Sequence, residues 1–202
     1  CRFGCTSLRR GLTQVLGRTT EPLMPHIALP GSPEKKQASR DAQKVLRLLA
    51  RRLKPLGFLR TKPTFFTRPS EHGLEFVHVH KFTFAPSFRV HFGFRVRSEE
   101  FPAPHLNGPS SDDVRDPVRP DHRKYVLDYG TDEASWESCA QAMYECAAYE
   151  GMAWFASMSD PVFLLSPDSP LSSTAKAALR REIEDPSESF VSEATRLTLN
   201  AA

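Results

Sequence analysis

An α+β fold, an antiparallel β-sheet of four to five strands with helices packed on one face, is predicted by three observations. Residues 74–97, LEFVHVHKFTFAPSFRVHFGFRVR, hold two runs of strict apolar alternation separated by a break at Pro86 and Ser87. Alternation is the period of a half-buried strand, and Val and Phe suit a pleated surface. Residues 32–56, 132–147 and 173–184 instead carry apolar side chains at helical spacing, or start and stop signals that bound a helix. The 202 residues suffice for one sizeable core, and the 17 prolines point to irregular connections around it.

The chain begins at Cys1. Residues 1–23 carry Arg2, Arg9, Arg10 and Arg18 against the single acid Glu21. Targeting peptides are basic and acid-poor, but a non-native leader ahead of a true start at Met24 is the simpler reading. Residues 1–31 are therefore expected to be disordered or non-native, residues 32–186 to form a single α+β domain, and residues 187–202 a C-terminal tail.

Ser32-Pro33-Glu34 combines a hydroxyl cap, a proline at the first helical position and an acid in the first turn. The helix it opens runs to about Leu56, with Ala42, Val45, Leu46, Leu49, Leu53 and Leu56 on one stripe and Gly57 as its stop. Arg47, Arg51, Arg52 and Lys54 lie off that stripe and read as a solvated face. Short strands follow over residues 58–60 and 64–68.

The hairpin comes next. A loop over residues 83–87 pairs Phe82 with Phe88, His80 with Val90, His78 with Phe92, Phe76 with Phe94 and Glu75 with Arg95. One face then holds Leu74, Phe76, His78, His80 and Phe82 with the phenylalanine row of the second strand. The other face holds Lys81, Arg89, Arg95 and Arg97, with Glu75 and His91. Residues 98–122, with five prolines among acids and serines, read as a long loop of the kind that is functional or disordered. Residues 123–129 read as a further strand. Thr131-Asp132 caps a second helix carrying Trp136, Ala140, Met143 and Ala147, which Gly151 is expected to stop. A third helix is predicted over residues 173–184, and an amphipathic tail carries Phe190, Val191, Ala194 and Leu197.

The segments LKPLGFLRTKPTFF, VHVHK, FRVHFGF, SWES and EGMAWF together resemble the bacterial family catalogued as domain of unknown function 4304. That family has a leading helix ending in Leu-Gly-Phe, a strand with an aromatic pair, a helix entered by Trp and a closing Gly-x-x-Trp/Phe segment. Leu56, Gly57 and Phe58, the hairpin, Trp136 and Gly151 to Phe155 match it over about residues 38–180. His80 stands where the family usually has glutamine, and His91 where it often has asparagine. The resemblance implies a fold and no established activity.

Composition and motifs narrow the function. A formal charge of +3 does not by itself imply a nucleic-acid partner. No apolar run approaches the ~20 residues of a membrane span. The cysteines at 1, 5, 139 and 146 form no CxxC, and Cys139 and Cys146 lie too far apart on a helix for a disulfide, which points to a reducing, cytoplasmic setting. Serine elbows, Cys–His sets and glycine-rich phosphate loops are missing from the sequence. His78 and His80 form an H-x-H on one strand face, which can give a metal two imidazoles. In this register His91 points away, leaving no third ligand. Asp112, Asp113, Asp116 and Asp121, with His105 and His122, lack the regular alternation of a calcium loop.

Lys81, Arg89, Arg95 and Arg97 form the candidate binding surface, a basic stripe suited to an acidic protein partner. Specific nucleic-acid recognition on a sheet needs aromatic platforms, and this register places the hairpin's aromatics on the opposite face. The expected function is a non-enzymatic intracellular binding module, of the immunity or adaptor kind, without cofactor or membrane partner. The alternative is a hydrolase or metal-dependent enzyme using His78, His80 or the 98–122 loop.

Overall fold

The structure, a computed structural model, describes residues 31–186 and 190–200. Apart from Gly31, the expected leader lies outside the described residues. The first described element follows its caps: Ser32 Oγ accepts from the Lys35 N–H at 3.2 Å, Pro33 opens α1 (Pro33–Leu53), and a 3-10 turn (Lys54–Leu56) ends at Gly57 with φ 86°. Only glycine tolerates that backbone cheaply, so the turn out of α1 is set by this residue.

The sheet is a meander in the order β1 (Leu59–Lys62), β2 (Phe65–Pro69), β3 (Leu74–Lys81) and β4 (Phe88–Arg95), all antiparallel. The β3–β4 register differs by one residue from the expected pairing. Leu74 pairs with Arg95, Phe76 with Gly93, Val77 with Phe92, His78 with His91, Val79 with Val90, His80 with Arg89, and Lys81 with Phe88. A one-residue slip turns every side chain of one strand to the other face. It is therefore Val77 and Val79, with Phe66, that join Phe88, Val90 and Phe92 in the main core.

The cause is steric. Phe76 lies directly against Gly93, and a Cβ there would run into the Phe76 ring. In the expected register Phe76 would oppose Phe94, and Val77 and Val79 would lose their places beneath α1.

The main core packs α1 (Val45, Leu46, Leu49, Leu53) and α2 (Glu133–Cys146; Cys139, Met143, Cys146) against this sheet face. Asp132 caps α2, its Oδ1 accepting from the Ser135 N–H at 2.9 Å. Gly151 does not stop the helix. A π turn (Ala147–Gly151) leads straight into α3 (Met152–Ser157), and a Cβ at Gly151 would lie 2.6 Å from the Phe92 ring. The glycine is there for close packing. Phe94 and Val96 extend the row under α4 (Pro161–Leu165) and α5 (Ser173–Glu184), the latter as predicted.

The 98–122 segment is mostly tied down. The Phe92 N–H donates to Pro109 O, Gly108 N–H to Phe92 O and Ser111 N–H to Val90 O, so residues 107–111 run along the outer edge of β4. Residues 123–129, expected as a strand, form an extended stretch with isolated bridges instead, in which Tyr125, Leu127 and Tyr129 are buried alternately.

The other sheet face is half covered. α6 (Glu193–Leu199) docks there, with Leu199 against Leu74 and Phe76. Its docking side is Ser192, Thr195, Thr198 and Leu199, while Phe190 and Leu197 stay exposed, so the tail binds through hydroxyls rather than through the expected apolar stripe.

Those hydroxyls meet Arg95. Expected in solvent, Arg95 is 1% exposed and is filled with acceptors: Nε donates to Thr195 Oγ1 at 2.6 Å, Nη1 to Ala103 O at 2.9 Å, and Nη2 to Glu99 O at 2.8 Å and Phe101 O at 2.6 Å. Glu75 turns to the helix side and pairs with Arg68 of β2. Arg95→Met should cost about 2–4 kcal/mol in urea unfolding, since four acceptors lose a buried donor. It should also raise hydrogen exchange across residues 195–199. Arg97→Ala, which loses one bond to Ser70 O, should cost less than about 1 kcal/mol.

Candidate functional site

Beyond α6 the second sheet face lies open, and the observed register brings three histidines together there. His78 and His91 are directly opposed, with ring centroids 6.1 Å apart and nearly parallel planes. His91 was expected on the other face; it shares this one. His80 lies two residues along β3, opposite Arg89. Phe65 of β2 packs on the His78 ring at 4.5 Å, and Phe82 meets His80 edge-on at 5.4 Å. Phe82 also lies 5.1 Å beneath the Arg89 guanidinium.

Asp112 borders the patch and is shared by Arg89 and Arg123, the latter at 3.0 Å. Arg89 Nε contacts the carboxylate without an aligned hydrogen bond, so that pair is an ion contact. Asp113 acts on His91 as well, so two acids stand beside these two cations. On its other side the patch runs into a groove of about 300 Å³ between Phe65, Pro102 to Pro104 and α6. A groove of about 670 Å³ lies elsewhere, between the first turns of α1, Pro86 and Tyr129.

Burial makes His78 and His91 poor bases. Desolvation first, then the His91 and His80 charges, pull the His78 pKa down to about 4. Desolvation also lowers His91, helped by Arg89 and His80 and opposed by Asp112 and Asp113. At neutral pH both rings are uncharged, each with one donor and one acceptor nitrogen. His78 Nδ1 is buried and has no hydrogen-bond partner among the described residues. The patch can thus offer imidazole hydrogen bonds, one guanidinium and two phenyl faces. No group of three His, Cys, Asp or Glu among the described residues has metal-holding geometry.

The four cations expected to form one stripe are separated. Arg89 is on the histidine face, and Arg95 is buried under α6. Lys81 lies opposite Phe88 on the helix side, its pKa lowered by burial and then by the nearby Lys35. Arg97 sits past the end of β4, bonded to Ser70 O. In the 98–122 segment Asp116 accepts from the Val118 and Arg119 N–H groups at 2.8 and 3.1 Å, and His105 stacks on Phe101 at 4.6 Å. These are turn-forming and packing roles. Cys139 and Cys146 are buried free thiols, pushed up to about 12 by desolvation, and are poor nucleophiles.

Phe65 and Arg123 join the site without having been singled out in the sequence, whereas Phe82 was expected on the His78 and His80 face and Asp112 was weighed only as a calcium ligand. One signal was available. A Phe65-Phe66 doublet in a strand must place one ring on each face, so an aromatic second face follows from the pleat.

No family model matches this chain, and no curated protein or solved structure matches it either. No helix among the described residues is long and apolar enough to cross a membrane.

The His78 pKa sets a pH dependence. In the unfolded chain the group returns to its ordinary value near 6.5, so between about 4 and 6.5 the unfolded state binds more protons. Its contribution to stability is present above that window and lost as pH falls through it. His78→Gln should flatten the fall in unfolding free energy between pH 6.5 and pH 4. Glu75 and Glu99, raised by burial, act with the opposite sign but equally in both proteins. Identical slopes for the two proteins would show that His78 is not desolvated.

Proposed function

We propose that this protein is a non-enzymatic binding module of the cell interior, and that its ligand surface is the open half of the sheet. The resemblance to domain of unknown function 4304 belongs to this reading and adds no chemistry to it. One observation carries the proposal: His78 Nδ1, buried and without a partner among the described residues, lies on the uncovered face opposite His91 and diagonal to Arg89. A buried polar nitrogen without a partner is costly unless a ligand or solvent meets it. The partner that fits is an acidic protein segment, whose carboxylates accept from Arg89 and from imidazole N–H groups while its side-chain stems lie on Phe65 and Phe82.

An NMR titration with a short Asp/Glu-rich peptide tests this. Backbone amide shifts should centre on residues 78–80 and 89–91 and vanish in the double variant His80→Glu, Arg89→Glu. Shifts confined to α1, or unchanged binding by the variant, would remove the sheet face from consideration.

The second reading, a hydrolase or metal-dependent enzyme, is favoured by the shared face of His78, His80 and His91. Zinc separates the two. A ligand specific to the folded state must raise the melting temperature. Under the binding-module reading zinc at small excess leaves the melting temperature unchanged. A saturable rise abolished by His80→Ala would establish the metal reading instead.

A further inference from the structure

On the other side of the molecule, α1 carries seven cations against two acids, a surplus of five where the whole chain has +3. Residues 1–23 are also basic, and the remainder of the chain is net acidic, so α1 carries the main concentration of positive charge among the described residues. Asp41 is buried and engaged by Lys44 at 3.1 Å and by Gln37, and Arg52 pairs with Glu137 of α2. Lys36, Arg40, Arg47, Arg51 and Lys54 are all exposed, and among the described residues their side chains have no hydrogen-bond or ion-pair partner.

Successive positions 36, 40, 44, 47, 51 and 54 are three or four apart, so these cations follow one line along the helix. Their steps are about 5–6 Å, and the ridge from Lys36 to Arg51 is about 22 Å long. Arg60 of β1 flanks it, bonded to Gln43 at 3.0 Å, and feels the Arg47 charge strongly enough to lower its own pKa after burial. Such crowding of like charge is relieved by a bound polyanion. Because the opposite face of α1 is locked into the core through Ala42, Val45, Leu46, Leu49 and Leu53, the ridge is a rigid, straight array.

We infer that this ridge is a sequence-independent site for the sugar–phosphate backbone of nucleic acid. The cation spacing is comparable to that of neighbouring phosphates along a strand. Arg40, Arg47 and Arg51 offer planar forks for phosphate oxygens, and the intervening Ser39 and Gln43 add uncharged hydrogen bonds. A membrane surface fits less well. None of the large exposed apolar side chains lies on α1, so nothing on the ridge can enter the acyl region. The one aromatic beside the ridge, Trp136, is covered by the Lys44 ammonium at 3.7 Å from its ring centroid, which leaves the backbone as the main contact.

The test is fluorescence anisotropy of the full chain with a labelled duplex of roughly 20 base pairs, in two unrelated sequences. Both should bind with about equal affinity. Five phosphate contacts predict a log–log salt slope of about −4.5, hence a loss of about 500-fold between about 50 and about 200 mM salt. Arg47→Glu with Arg51→Glu should reduce both the slope and the affinity, the latter at least about tenfold. The charge-matched control, Arg180→Glu with Arg181→Glu on exposed positions of α5, should lose less than about twofold. Arg47→Gln with Arg51→Gln serves if the reversal disturbs folding. Equal losses in ridge and control variants, no binding at the lower salt, or tighter binding to phosphatidylserine vesicles than to the duplex would each overturn the inference.

Discussion

Phe76 lies where Gly93 has no side chain, and the arrangement of the whole sheet follows from that contact. Any side chain at position 93 would displace the ring, and a one-residue slip would bring Phe76 against Phe94 instead. With the register so held, Val77 and Val79 complete a continuous apolar layer under α1 and α2, and the even-numbered positions of β3 all face away from it. The three histidines owe their meeting to the same contact. So does Arg95, which the register places beside Leu74 and beneath the C-terminal helix.

Arg95 then organises that second face. A buried guanidinium is tolerated only when its donors are met, and here three carbonyls of residues 99–103 and the Thr195 hydroxyl meet them. Ser192 Oγ and Thr195 Oγ1 also reach Glu99 O, so the start of the long segment, the end of β4 and α6 form one hydrogen-bonded unit. Apolar contact from Leu199 alone would hold a seven-residue helix weakly. The polar face gives α6 its position, and α6 in turn decides where the open half of the sheet begins.

Elements governed by local chemistry were readable in the sequence. Ser32, Pro33 and Gly57 mark α1, Asp132 marks the start of α2, and the borders of α5 follow its caps, because a cap is satisfied within four residues. The register was not readable, since both faces of β3 are apolar in part: Leu74 and Phe76 on one, Val77 and Val79 on the other. Alternation alone then supports either pairing, and the apparent Glu75–Arg95 match favoured the wrong one. Glu75 finds Arg68 instead, a partner from β2 that no hairpin pattern could indicate. Gly151 was misread for a similar reason: its need for space comes from Phe92, some sixty positions away in the chain, and not from a turn. The histidine cluster was half visible, as an H-x-H, and its third member depended wholly on the register.

The two candidate surfaces divide electrostatics from recognition. His78 and His91 are uncharged at neutral pH, so the sheet patch has little long-range field beyond that of Arg89, itself shared with Asp112. It can discriminate by shape and hydrogen bonding but cannot draw a ligand from a distance. The α1 ridge is the reverse, with exposed charge that, Lys44 apart, has no partner among the described residues. Steering by such charge falls off over about 10 Å at 0.1 M salt, and the sheet and core separate the ridge from the histidines. A ligand of one surface therefore does not displace a ligand of the other by contact, and substitutions on the two should act additively on binding and on stability. The arrangement suits a protein that is concentrated on a polyanion by one side while its opposite side remains free for a second, more selective contact.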